Sequence, residues 1–91
     1  MNIRNLALKY SDEVVKNRRH FHMYPELSGQ EFETSKFVQN YLDDLGIPYE
    51  IFRGTGVIGT IQGDMPGKTV LLRADMDALE VTEKNDVEYK S

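Results

Sequence analysis

Thr69-Val70-Leu71-Leu72-Arg73-Ala74-Asp75-Met76-Asp77-Ala78-Leu79 is an apolar run that leads directly into two carboxylates spaced i, i+2. The continuous triplet Val70-Leu71-Leu72 predicts a strand over Thr69–Arg73, covered on both faces and therefore central in a sheet. In an extended chain residues i and i+2 point to one side, so Asp75 and Asp77 are expected to face one cleft at the strand's end. Like charges that close repel in a low dielectric unless a cation or a proton lies between them. The pattern predicts a metal site or the groups that surround one.

Upstream of this strand the hydrophobic period is 2. Tyr49–Phe52 and Val57–Ile61 read as short strands around Gly54-Thr55-Gly56, and Gly63-Asp64-Met65-Pro66-Gly67 is dense in turn formers. Gly54, Gly56 and Gly59 do not form a phosphate loop, because no Lys-Ser/Thr pair and no helix follow them; they are assigned to tight turns and close strand packing. Further upstream the period is 3.6. Ile3, Leu6, Ala7, Tyr10, Val14, the stem of Arg18 and Phe21 form one stripe, which predicts a helix from Ile3 to about Phe21, stopped by Pro25. Ser28-Gly29-Gln30-Glu31 has the S-x-x-E form of a capping box, in which Ser hydroxyl and Glu carboxylate each satisfy an orphan N–H. A second helix is expected over Glu31–Leu45, burying Phe32, Val38, Tyr41, Leu42 and Leu45 with Phe37 at the margin, and ending at Gly46 before Pro48. The fold class expected is α/β, two N-terminal helices and then three strands.

With 91 residues, 40% of them hydrophobic, the chain can make one small domain and no more. The formal net charge of −4 gives no reason to expect nucleic-acid or anionic-membrane binding. Charge is uneven: five basic against two acidic side chains in residues 1–23, two basic against six acidic in residues 74–91, a distribution that solvated faces explain. The absence of cysteine excludes a disulfide framework and a thiolate zinc site built from this chain alone. No apolar run reaches the ~18 residues needed to span a membrane, and the N-terminus lacks the apolar core of a signal peptide. A soluble, cytoplasmic protein is the expectation.

His20 and His22 stand with Arg18 and Arg19 at the end of the first predicted helix. Two residues apart on a helix they do not face each other, so a two-histidine metal site there is geometrically poor. Cations near a helix C-terminus are favoured by the macrodipole without any chemistry. Glu26 follows Pro25 in a turn, where a carboxylate caps or is solvated. A self-contained metal binder built from His20, His22, Asp75 and Asp77 is one reading of these residues. A small non-enzymatic α/β module that binds a partner or ligand is another.

The stretches Arg18-Arg19-His20-Phe21-His22-Met23-Tyr24-Pro25-Glu26-Leu27-Ser28, Glu31-Phe32-Glu33-Thr34-Ser35, Leu45-Gly46-Ile47, Gly54-Thr55-Gly56-Val57, Pro66-Gly67-Lys68-Thr69, Arg73-Ala74-Asp75-Met76-Asp77-Ala78-Leu79 and Asn85-Asp86-Val87 together resemble the N-terminal part of the aminoacylase/hippurate-hydrolase family. These are metal-dependent amidohydrolases that cleave N-acyl amino acids and amino-acid conjugates, related to zinc carboxypeptidases and dipeptidases. The resemblance covers nearly all of residues 10–91, with the motifs in the family's order. The departures are Tyr24, where the family usually has a histidine, and Glu80 and Glu88, where proline is common.

The resemblance implies that residues 1–91 are the incomplete N-terminal portion of a zinc-peptidase-like three-layer catalytic domain. It implies a site of two divalent ions (zinc, manganese or cobalt) in a longer parent protein, acting on a small N-acyl amino acid. The family's Cys- and His-containing metal motif, its glutamate pair and its later histidines have no counterpart in this sequence, so the chain alone is expected to be inactive and to bind no metal. By similarity Asp77 matches the carboxylate beside the metal cluster. Asp75 occupies the place where more distant relatives carry a metal-binding histidine. Both would fix the orientation of the ligands and raise their basicity.

Overall fold

A computed structural model of the chain describes residues 2–81, Lys84 and residues 87–91. Glu83 of the acidic tail, and Asn85 and Asp86 of the family resemblance, lie outside the described residues. The chain divides into two compact units, one formed by Met1–Pro25 with Glu80–Ser91 and the other by Glu26–Leu79.

In the first unit the expected single helix is two. Helix α1 covers Ile3–Lys9 and α2 covers Ser11–Met23, with Tyr10 between them at φ −98°, ψ 4°. The charges explain the break: Lys9 lies in the last turn of α1, and Asp12 and Glu13 lie in the first turn of α2, each at the end of the macrodipole that favours its sign. Asn2 caps α1 by accepting the Asn5 N–H through Oδ1 at 3.1 Å. Helix α2 continues two residues past the predicted end at Phe21, so His20 and His22 are both helical.

In the second unit α3 covers Phe32–Leu45, and β1 (Tyr49–Phe52) pairs antiparallel with β2 (Gly56–Gly59), Tyr49 opposite Gly59 and Phe52 opposite Gly56. The C-terminus of α3 is as expected. Gly46 has φ +70°, Ile47 N–H donates to the Leu42 carbonyl at 2.9 Å and Gly46 N–H to that of Asp43 at 3.1 Å, which is a Schellman closure. Tyr49 O–H donates to Asp43 Oδ2 at 3.2 Å and ties β1 to the helix end; desolvation, then the Asp43 charge, hold this phenol above its usual range. The glycines have the packing roles expected of them. Gly54 turns the hairpin at φ +87°, and a Cβ on Gly59 would lie 3.3 Å from Leu42 Cδ1.

The N-terminus of α3 departs from the expected capping box. Gln30 N–H donates to the Leu27 carbonyl at 2.9 Å across a turn in which Gly29 takes φ +81°, so Ser28 is a turn residue and Glu31 is the N-cap. No side chain of Glu31 or Ser28 caps the helix.

The expected third strand, Thr69–Arg73, is absent: β1 and β2 pair only with each other, and residues 60–77 carry no strand. A strand exists through its ladder partners, and among the described residues none lies beside Val70-Leu71-Leu72, whose side chains are 79%, 84% and 91% exposed. The class observed is mixed α/β, with three helices and a two-stranded sheet among the described residues. The buried stripe expected on α3 is also only partial. Val38, Tyr41 and Leu42 are half-buried, Phe32 and Leu45 are exposed, and the buried described residues are the small polar ones, Thr34, Ser35 and Thr55.

Candidate active site

Two of the motifs, some fifty positions apart in sequence, meet in the second unit. Leu27 and Ala78 form a parallel bridge, and Ala78 N–H donates to the Glu26 carbonyl at 2.7 Å. The residue that follows Asp77 is thereby hydrogen-bonded to the Pro25-Glu26-Leu27 loop. From that loop the Glu26 carboxylate reaches the start of α3, where Oε1 accepts the Thr34 N–H at 2.6 Å and Oε2 the Glu33 N–H at 3.2 Å. These are the second and third N–H groups of the helix, the two that a cap normally satisfies. Hydrogen bonding from the Thr34 side chain is the largest effect on the Glu26 carboxyl; desolvation, the next, opposes it, and the Thr34 and Glu33 amides help hold the group below its ordinary value.

Asp75 and Asp77 both lie exposed in this segment. The Asp75 carboxylate takes the Arg73 guanidinium at 3.0 Å, an exposed pair that contributes little stability. At the N-cap of α3, Glu31 Oε1 is buried without a hydrogen-bond partner among the described residues. Among the described residues no three His, Asp or Glu side chains are grouped to hold a metal ion. With Asp75 engaged by Arg73 and Asp77 open to solvent, the donor set of this segment does not fit a metal ion by itself.

The histidines belong to the first unit. The His20 ring lies against Phe21 and Tyr24, with centroids 5.7 and 5.1 Å away, and His22 packs edge-on against Tyr89 at 5.8 Å. The His22 carbonyl also accepts a hydrogen bond from the Ser91 hydroxyl. An open groove of about 690 Å³ runs along α2 beside Lys16, Arg19, His20 and Tyr24, closed on its other side by Glu88 and Tyr89. Arg19 stacks over the Tyr89 ring at 4.5 Å. The lining mixes both signs of charge and gives no preference for an anion or a cation.

Sequence reasoning placed Glu26 in a turn as a capping or solvated carboxylate, and it missed which helix it caps. No local spacing rule links a carboxylate to N–H groups seven and eight positions ahead. The Leu27–Ala78 bridge is likewise non-local and has no signal in either motif taken alone.

Comparison with known proteins bears on what this arrangement is for. The chain is 51% identical over 81 residues to the protein named "Putative amidohydrolase YhaA" of Bacillus subtilis, which covers 88% of this chain and 20% of that protein. It is 48% identical to thermostable carboxypeptidase 1 and 50% identical to thermostable carboxypeptidase 2 of Saccharolobus solfataricus, in each case over 98% of this chain and 23% of the relative. By sequence, this chain is a relative of amidohydrolases and carboxypeptidases. It spans about a fifth of the length of these curated relatives. No protein-family model matches the sequence, and no solved structure matches it. No helix among the described residues is long and apolar enough to cross a membrane.

Proposed function

We propose that this chain is the N-terminal portion of the catalytic domain of a cytoplasmic, metal-dependent amidohydrolase that cleaves N-acyl amino acids or amino-acid conjugates. The observation that carries the reading is identity of 48–51% to proteins named for amidohydrolase and carboxypeptidase activity, over 88–98% of this chain. The two names share one kind of bond. An amidohydrolase and a carboxypeptidase both hydrolyse an amide bond.

A pair of divalent ions (zinc, manganese or cobalt) belongs to this reading as the source of an activated water. The described residues do not assemble ligands for it, so the part assigned to this chain is to hold Asp77 beside such a centre. By itself the chain is then without turnover, since it has neither the ligands nor the glutamate base that the reading requires.

The test is a chimera in which residues 1–91 replace the matching segment of thermostable carboxypeptidase 1. The chimera is expected to hydrolyse N-acetyl or N-benzoyl amino acids in the presence of metal, and the isolated chain is not. In the chimera Asp77→Asn, which keeps the size of the side chain and removes its charge, should lower metal affinity or turnover by ~10–100-fold. A folded chimera without turnover, or Asp77→Asn at the unmodified chimera's level, would overturn the reading. So would metal-dependent hydrolysis by the isolated chain for its last clause.

A further inference from the structure

We propose that Glu26 is a positioning residue for Asp77, acting as a link that joins the start of α3 to the acidic segment; its functional weight rests on the reading of Asp77 given above.

The link has two halves joined in one residue. The side-chain half is the carboxylate on the Thr34 and Glu33 N–H groups, at 2.6 and 3.2 Å, which anchors Glu26 to the first turn of a 14-residue helix. The main-chain half is the Glu26 carbonyl, which accepts the Ala78 N–H at 2.7 Å. A peptide group is planar, so fixing the Ala78 N–H fixes the carbonyl of Asp77 and the plane through its Cα as well. The position of the Asp77 Cα is then limited by α3 through Glu26.

Among the described residues, the Ala78 N–H on the Glu26 carbonyl, within the parallel Leu27–Ala78 bridge, joins residues 61–79 to the start of the second unit. The Arg73–Asp75 pair is internal to the segment and exposed. Ordinary helix capping would use a residue adjacent to the first turn. Here the cap comes from the residue whose carbonyl also accepts from the acidic segment, so one residue contacts both the helix start and Ala78.

Amide hydrogen exchange of the 91-residue chain, followed residue by residue by NMR, tests the link. Glu26→Ala should speed exchange at Thr34, Glu33 and Ala78 together, by about 2- to 30-fold, the range that losing a cap implies. Glu26→Gln, whose amide oxygen still accepts one N–H, should restore part of the protection at all three. Gly46→Ala, at the other end of α3, serves as the control: it should weaken the helix without selectively freeing Ala78. In the chimera described above, Glu26→Ala should lower kcat while leaving KM near its starting value, and Glu26→Gln should recover part of the loss.

An Ala78 amide that exchanges at the unfolded-peptide rate in the unmodified chain overturns the proposal. So does Glu26→Ala freeing Thr34 and Glu33 but leaving Ala78 unchanged, because Glu26 is then a cap and nothing more. A chimera without turnover counts against the functional reading alone, since the exchange result stands independently of it.

Discussion

The Thr34 N–H donates to Glu26 Oε1 at 2.6 Å across eight positions of sequence, and this bond replaces the local cap that Ser28 was expected to supply. Because hydrogen bonding holds the Glu26 carboxyl below its ordinary value of 4.5, the folded chain binds fewer protons there than the unfolded chain. Stability therefore rises with pH across that window: the contribution is complete above the unfolded value and is lost as pH falls through the folded one. Urea midpoints measured from about pH 6 to about pH 3 should fall for the unmodified chain and fall less steeply for Glu26→Gln. At neutral pH Glu26→Ala should cost ~0.5–2 kcal/mol, as cap removal does elsewhere. Parallel pH profiles for the two proteins would remove Glu26 from this role.

What was legible in the sequence follows a physical line. The Schellman end at Gly46 and the strand Tyr49–Phe52 are set by neighbours within a few residues, and both were readable from Leu42-Asp43-Asp44-Leu45-Gly46-Ile47-Pro48 and the alternation after it. The division at Tyr10 was also written locally, in Lys9 and Asp12-Glu13, but the apolar stripe runs through it and periodicity alone reads one helix. Val70-Leu71-Leu72 shows the opposite limit. Its composition says strand, yet a strand requires partners that composition does not specify, and no described strand lies beside it. The pairing of Glu26 with Ala78 depends on where two distant loops come to rest, so Asp75 and Asp77 could be singled out by spacing while the residue that holds their segment could not.

Gly46 should tolerate no side chain without strain, for a reason confined to the backbone. A Cβ there would meet nothing within 4 Å, yet φ is +70°. Gly46→Ala is expected to cost ~1–2 kcal/mol from the left-handed conformation alone. Gly46→Asn should cost less, since asparagine visits that region more readily. Equal losses for the two variants in urea unfolding would place the cost in packing, contrary to the open space around the site.

Gly59 presents the reverse case, a glycine required by a neighbour. A Cβ would stand 3.3 Å from Leu42 Cδ1 and 3.6 Å from Ile47 Cγ2, so Gly59→Val drives β2 into the end of α3 and should cost ~1–3 kcal/mol. Leu42→Ala removes the obstructing methyl groups. The double variant should then be less destabilised than the sum of the singles, with a coupling of ~0.5–3 kcal/mol. Strict additivity in a double-mutant cycle would show that the two residues do not touch in solution.

The last expectation concerns the apolar run that opened the sequence argument. Val70, Leu71 and Leu72 are 79%, 84% and 91% exposed, consecutive, and on a segment without a strand partner among the described residues. Such a segment is a template for pairing with another chain, and burying three aliphatic side chains rewards it. Lys68 and Arg73 bracket the run and oppose stacking by like charge, but they do not interrupt it. The chain should therefore self-associate as its concentration rises, and Leu71→Lys, which places a charge in the middle of the run, should shift association to higher concentration without lowering the helix content of α2 or α3. Sedimentation velocity across a concentration series, beside far-ultraviolet circular dichroism of both proteins, measures the two quantities separately. A chain that sediments as a monomer throughout, with Leu71→Lys unchanged, would mean that Val70-Leu71-Leu72 is covered in solution by contacts other than those described.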